Sequence, residues 1–167
     1  MIPENPRTVC EPTELKASYV HEVAHAAVAL RFGCEIALEV SYDRSLRYFD
    51  GVCYFRHPDG ELPPSVLRAI ALAGIVGEAA YRLGWGHPRL TVASLADSLR
   101  SGTVDISDTD KRGADGWQVK DLGLAFEILS NAWGWIVEEA ERQAHADHPW
   151  LVAPPAVAEQ QGSAAGL

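Results

Sequence analysis

A run of apolar residues between Thr13 and Gly33 contains three polar side chains close together, His21, Glu22 and His25. The apolar residues recur at three- and four-residue steps, which predicts a helix with Thr13 as its N-cap and Gly33 just past its end. Nearly all positions around the three polar residues are apolar, so these residues are expected to be buried. Burying two imidazoles and a carboxylate without a partner is costly. The fold must therefore supply a binding partner that offsets the cost of burying these side chains.

The spacing of the three polar residues suits a metal ion. Residues four apart on a helix lie on nearly the same face, so His21 and His25 can direct their rings at one cation. Zinc accepts imidazole nitrogens at about 2.0–2.1 Å, and its catalytic sites use three protein ligands and leave one position for water. A metal ion acidifies its water ligand, and Glu22 is placed to accept the released proton. The alternative is a chance match, which arises in roughly one chain in a few hundred of this length.

The rest of the pattern predicts a mainly helical domain with a small β-hairpin. Two β-prone runs, Ile36 to Tyr42 and Val52 to Arg56, are separated by a polar stretch that ends in Asp50-Gly51. A polar loop, Thr103 to Asp110, is expected to lead directly into the last helix. Two further helices are predicted at 64–83 and 92–99, and the last long helix carries an apolar stripe over 122–140.

Composition narrows the classes of function. The chain has 167 residues, enough for one domain with a real core, and its formal net charge is −9. Such a surface repels nucleic acid and anionic membranes, so we expect neither as a partner. We also expect no signal peptide and no membrane span, because the apolar runs are too short. The three cysteines form no Cys-x-x-Cys pair, which favours reduced thiols and a cytoplasmic protein.

Three segments together resemble the protease domain of the FtsH family of ATP-dependent zinc metalloproteases. Residues 19–29, with the sequence YVHEVAHAAVA, look like that family's zinc helix. Residues 72–78, LAGIVGE, are similar to its second helix, where Leu-Ala-Gly is followed by a Glu four residues after the Gly. The predicted hairpin stands where the family has a short β excursion. The resemblance covers roughly residues 13–145.

The resemblance implies a third zinc ligand, which in that family is an Asp at the start of a later helix with an Ala four positions on. Asp110, followed by Ala114, matches best, and Asp108 is the competing candidate. Ser107 and Asp110 also have the spacing of a capping box, which is compatible with metal binding. Glu78 is either a satisfied polar group or a partner that accepts the outer N–H of a zinc histidine.

Together these observations predict a zincin-like domain over residues 13–148, an irregular segment at 1–12 and a disordered tail at 149–167. The expected zinc ligands are His21, His25 and Asp110, with Glu22 as the catalytic base. The chain contains no phosphate-binding loop. The expected function is therefore ATP-independent zinc endopeptidase action on flexible polypeptides or on a dedicated protein partner. The alternative is a non-catalytic zinc-binding or regulatory interaction module; the oligomeric state stays open.

Overall fold

The computed structural model of the chain describes residues 12–43 and 48–148. Within this part the elements are α1 (Pro12–Arg31), β1 (Glu35–Asp43), β2 (Tyr48–Arg56), α2 (Pro64–Leu83), α3 (Val92–Ser101), α4 (Asp108–Gly113) and α5 (Val119–Asp147). The prediction of a mainly helical fold with one small antiparallel hairpin is confirmed. The irregular start and the disordered tail, predicted for 1–12 and 149–167, lie outside the described residues, except for Pro12 in α1.

The core is formed where α1, α2 and α5 pack against one another. Helix α1 is buried on almost every side, as expected for a helix whose apolar residues surround it. Each fully buried aliphatic side chain contributes about 1.5–3 kcal/mol of transfer free energy to folding. The largest buried aliphatic side chains of the three helices are Leu15, Val20, Val23, Val28, Ile70, Leu72, Val76, Leu122, Leu129 and Ile136. This packing carries the polar residues of α1 into the interior of the domain.

Small residues let α1 and α2 approach closely. A Cβ atom added to Gly77 of α2 would lie less than 3.0 Å from the Cβ atom of Ala24 in α1. Real Cβ atoms do not come so near, so the glycine leaves the space into which α1 packs. The backbone of α2 therefore lies directly against the face of α1 that carries the histidines.

The helix ends follow the glycine signals of the sequence. Gly84 follows α2, and Gly102 caps α3 in the left-handed conformation with φ of 70°, both as predicted. The predicted N-cap of α1 is wrong, because Thr13 lies inside that helix. Thr91 is the N-cap of α3, and its hydroxyl accepts a hydrogen bond from the main-chain N–H of Ser94 at 3.1 Å.

The second strand of the hairpin is longer than predicted. It begins at Tyr48 rather than at Val52, so Asp50 and Gly51 lie in the strand and not in a turn. Gly51 pairs with Val40 of β1 in the antiparallel register. A glycine inside a strand often marks a close approach of another group. Here that group is a side chain of α1, described below.

A separate short helix, α4, carries Asp110. The prediction that a loop leads from Asp110 directly into the long helix is wrong, because α4 ends before α5 begins. The Ser107 hydroxyl caps α4 by accepting a hydrogen bond from the Asp110 main-chain N–H at 3.1 Å. Gly116 then turns the chain with φ of 70°. A capping box between Gln118 and Asp121 starts α5 as a new helix.

Among the described helices, none combines the length and the apolar character that crossing a bilayer would require.

Candidate metal centre

The two histidines of α1 face each other across one turn of the helix. The centroids of the His21 and His25 rings are 4.8 Å apart. His25 is buried, and His21 is half-buried. Their position follows from the i, i+4 spacing in a helix whose other faces pack into the core. The structure thus brings together the two imidazoles that the sequence singled out.

Both rings are held at their outer nitrogen. Nδ1 of His25 lies 2.6 Å from the main-chain carbonyl oxygen of Ile70 in α2. Nδ1 of His21 lies 3.3 Å from Oε2 of Glu78 in the same helix. A carbonyl and a carboxylate can only accept hydrogen bonds, so we assign a proton to each Nδ1. In the neutral rings this leaves the lone pair on Nε2, the atom that can bind a metal.

Asp110 completes the group. Its Oδ2 atom lies 3.1 Å from Nε2 of His21, and its Oδ1 atom lies 3.4 Å from Nε2 of His25. Asp108 is 88% exposed and pairs with Lys111 at 3.9 Å on the outside of α4. The structure therefore places Asp110, and not Asp108, beside the two histidines.

The contacts of Asp110 bring carboxylate oxygens close to both imidazoles. With ligand bonds of about 2.0–2.1 Å, neighbouring ligand atoms of a tetrahedral site lie about 3.3 Å apart. Oδ2 lies 3.1 Å from Nε2 of His21 and Oδ1 lies 3.4 Å from Nε2 of His25, so each imidazole has a different carboxylate oxygen near that distance. His21, Glu22 and His25 offer ligand atoms that all lie within 4.8 Å of one another, so this group could hold a metal ion. Two imidazoles and a carboxylate are donors that suit a divalent transition ion.

The electrostatics of the centre favour a cation. Burial lowers the pKa of His21, but hydrogen bonds to Asp110 and Glu78 outweigh burial and raise this pKa to about 10. Burial raises the pKa of Asp110, but contacts with the two histidines outweigh it and hold this pKa well below its usual range. The hydrogen bond with His21 also lowers the pKa of Glu78. Because a metal ion displaces the proton of a histidine that it binds, the carboxylates that hold this proton would also stabilise the ion.

Glu22 lies beside the two histidines without pairing with them. Its side chain is buried, and in the described part of the chain it forms no ion pair with either histidine, whereas Asp110 pairs with both. Burial raises the pKa of Glu22, and the neighbouring histidines oppose this shift only in part. A carboxylate with a raised pKa is a stronger proton acceptor than a free one.

Two glycines make room for these side chains. A Cβ atom on Gly74 of α2 would lie less than 3.0 Å from Nε2 of both His21 and His25. A Cβ atom on Gly51 of β2 would lie less than 3.0 Å from the carboxyl group of Glu22. Sequence reasoning assigned neither role. The signals were present, because Gly74 belongs to the Leu-Ala-Gly segment and Gly51 directly precedes a β-prone run.

The centre opens into a cleft of about 610 Å³. The strand β2 forms one wall, α2 forms another, and α4 closes one end. The apolar lining residues are Phe49, Val52, Phe55, Leu67, Ile70 and Ala71. His21, Glu22, His25 and Asp110 all line the same cleft, so a molecule bound there would contact the centre.

Comparisons with protein-family models and with curated proteins found no match to this chain. The FtsH-like character inferred from the residues therefore stays a prediction.

Proposed function

We propose that this chain is an FtsH-like zinc metallopeptidase domain that hydrolyses peptide bonds in a reaction that does not itself need ATP. One observation carries the proposal: His21, His25 and Asp110 converge at the wall of an open cleft, with the buried carboxylate of Glu22 beside them. In this proposal the first three residues hold the ion, which is the ligand set that a catalytic zinc site uses.

Each residue has a defined task. Bound there, zinc would polarise the carbonyl group of the peptide bond and acidify the attacking water. Glu22 accepts the proton of that water and returns it to the amine that leaves. Ile70 and Glu78 hold the outer nitrogens of the histidines, which keeps both Nε2 atoms directed inward.

The cleft suits a flexible polypeptide segment. Its walls are largely apolar side chains, which can bury the side chains of an extended peptide. We therefore propose flexible segments, or one dedicated protein partner, as the substrate. A cytoplasmic location is part of the proposal, in keeping with the free thiols of Cys34 and Cys53.

The test compares Glu22→Gln with a matched control on α5, Glu138→Gln, whose side chain is exposed and lies outside the cleft. Zinc content is measured by mass spectrometry, and hydrolysis is measured on fluorescent casein and on a peptide library. Glu22→Gln should keep stoichiometric zinc and lose hydrolysis by about 10²–10⁴-fold, the usual contribution of a general base. Glu138→Gln should behave like the wild type, and phenanthroline should abolish activity until zinc is restored.

Two results would count against the proposal. Unchanged hydrolysis by Glu22→Gln would remove Glu22 from the mechanism. Stoichiometric zinc in a wild-type protein that cleaves no substrate would favour the non-catalytic zinc-binding module instead.

A further inference from the structure

The two candidate zinc histidines are held from outside in different ways. His25 donates to a main-chain carbonyl, the oxygen of Ile70, which the helix itself keeps in place. His21 donates to a side chain, the carboxylate of Glu78, which is 38% exposed and has its own rotational freedom. The orientation of the His21 ring therefore depends on what holds Glu78.

Arg82 holds Glu78 one turn further along α2. Its Nε and Nη2 atoms donate to Oε1 of Glu78 at 3.0 and 2.9 Å. Oε2, the other oxygen of Glu78, accepts from His21. Each oxygen of this carboxylate thus has a separate partner, and the guanidinium limits its rotation.

A second carboxylate, that of Glu14 in the first turn of α1, holds the other edge of Arg82. Nη1 of Arg82 donates to Oε1 of Glu14 at 3.0 Å, and Nη2 donates to Oε2 at 2.9 Å. The guanidinium therefore bridges Glu14 of α1 and Glu78 of α2, and Arg82 reaches Glu14 across 68 positions of the sequence. Its planar fork fits two carboxylates at once, which the single ammonium group of a lysine cannot do in the same geometry.

We propose that Arg82 is a positioning residue of the metal centre: together with Glu14 it fixes the carboxylate of Glu78, and through that carboxylate it fixes His21 for the ion. The inference rests on the zinc site of the proposed function, but not on peptide hydrolysis.

The charge and the geometry of Arg82 act in opposite directions. Its positive charge repels a divalent ion at the centre, whereas its hydrogen bonds orient a ligand of that ion. Arg82→Lys separates the two effects, because it keeps the charge and loses the fork. Arg82→Met removes both. If the hydrogen-bond geometry of Arg82 dominates, Arg82→Lys binds zinc less tightly than the wild type. If only the charge matters, Arg82→Lys binds zinc as tightly as the wild type, and Arg82→Met binds it more tightly.

The experiment measures zinc affinity by competition with a chromogenic chelator. Loss of an outer partner of a metal ligand weakens metal binding by about 10–100-fold, and we expect about 10-fold for Arg82→Lys. The control is Arg142→Lys on α5, which removes an equally forked pair, from Arg142 to Glu139, at 2.8 and 2.6 Å on the surface. This control should change zinc affinity by less than about twofold. The visible absorption bands of the cobalt-loaded protein should shift in Arg82→Lys and not in the control.

Equal zinc affinity and equal cobalt spectra for Arg82→Lys and the wild type would overturn the inference. Thermal melts in EDTA show whether each variant folds. If Arg82→Lys does not fold, Glu14→Gln decides, since it leaves the Arg82–Glu78 contact in place and weakens only its outer support. We expect zinc affinity about threefold lower for Glu14→Gln, which is below the usual loss of about 10–100-fold because Arg82 and Glu78 lie between Glu14 and the zinc ligand. No change would again overturn the inference.

These outcomes are separable from those of the proposed function. A wild-type protein that binds zinc and cleaves nothing would refute the peptidase proposal, while zinc affinity would still test Arg82. An active peptidase whose Arg82→Lys variant binds zinc normally would refute only the role of Arg82.

Discussion

Gly74 of α2 faces the two histidines, and replacing it with alanine places a methyl group where the ion is proposed to bind. The added Cβ atom would lie less than 3.0 Å from Nε2 of His21 and of His25. An ion bound to both nitrogens at about 2.0–2.1 Å needs the same space. The Gly74→Ala variant should therefore lose zinc binding even though no ligand has been changed.

The size of the effect follows from linkage. Zinc at 100 times its dissociation constant stabilises the wild type by about 2.7 kcal/mol. For a domain of this size each kcal/mol raises the melting temperature by about 2–4 °C, so zinc should raise it by about 5–11 °C. The variant should show none of this rise. Without zinc, its gain of about 1 kcal/mol in helix propensity offsets part of an overpacking cost of about 1–3 kcal/mol.

The assay is thermal unfolding with and without zinc, with Gly77→Ala as the matched control. Gly77 lies one turn further along α2, and its added Cβ atom would meet Ala24 rather than a histidine. Gly77→Ala should lower the melting temperature in EDTA through overpacking and should keep the full rise with zinc. A Gly74→Ala variant that is stabilised by zinc as strongly as the wild type would refute the placement of the ion.

Three further predictions test the third ligand, the catalytic base and the core. Asp110→Asn should weaken zinc binding by roughly 100-fold, because loss of a direct ligand costs at least as much as loss of its outer partner. Asp108→Asn should leave zinc binding unchanged, and equal losses for the two variants in a chelator competition would contradict the assignment of Asp110. Gly51→Ala should displace the carboxyl group of Glu22 and lower kcat by about 10²-fold with zinc content unaltered, so a normal kcat would argue against Glu22 as base. Leu129→Ala should lower the free energy of unfolding, measured in urea, by about 2–5 kcal/mol and leave zinc affinity intact. A decrease of less than about 1 kcal/mol would contradict the burial of Leu129 in the core.

Local sequence signals sufficed for the histidine pair and for the ends of α2 and α3. The positions of His21 and His25 on one face depend only on the period of the helix. The glycines after α2 and α3 act within one turn of the chain, so their effect can be predicted without knowledge of the tertiary structure.

The extent of β2 and the separation of α4 from α5 depend on tertiary contacts. Asp50 and Gly51 are typical turn residues, yet pairing with β1 keeps them in the strand. Asp110 was identified by its resemblance to a family motif, but its helix ends at Gly113, where a Cβ atom would lie 2.9 Å from Ala71 of α2. Such a close approach between distant elements leaves no periodic signal.

The outer support of the centre was only partly predictable. Glu78 was considered as a partner of a zinc histidine because it lies in the second segment of the resemblance, and the structure places it against His21. Arg82 and Glu14 gave no signal, because their contact joins the end of one helix to the start of another.

The most direct test of the central claim is an anomalous difference map at the zinc edge, from crystals grown with excess zinc. We expect one peak about 2.0–2.2 Å from Nε2 of His21, from Nε2 of His25 and from a carboxylate oxygen of Asp110, with Glu22 near the ion but not bound to it. A peak bound by other residues, or two imidazole rings with no ion between them, would contradict it.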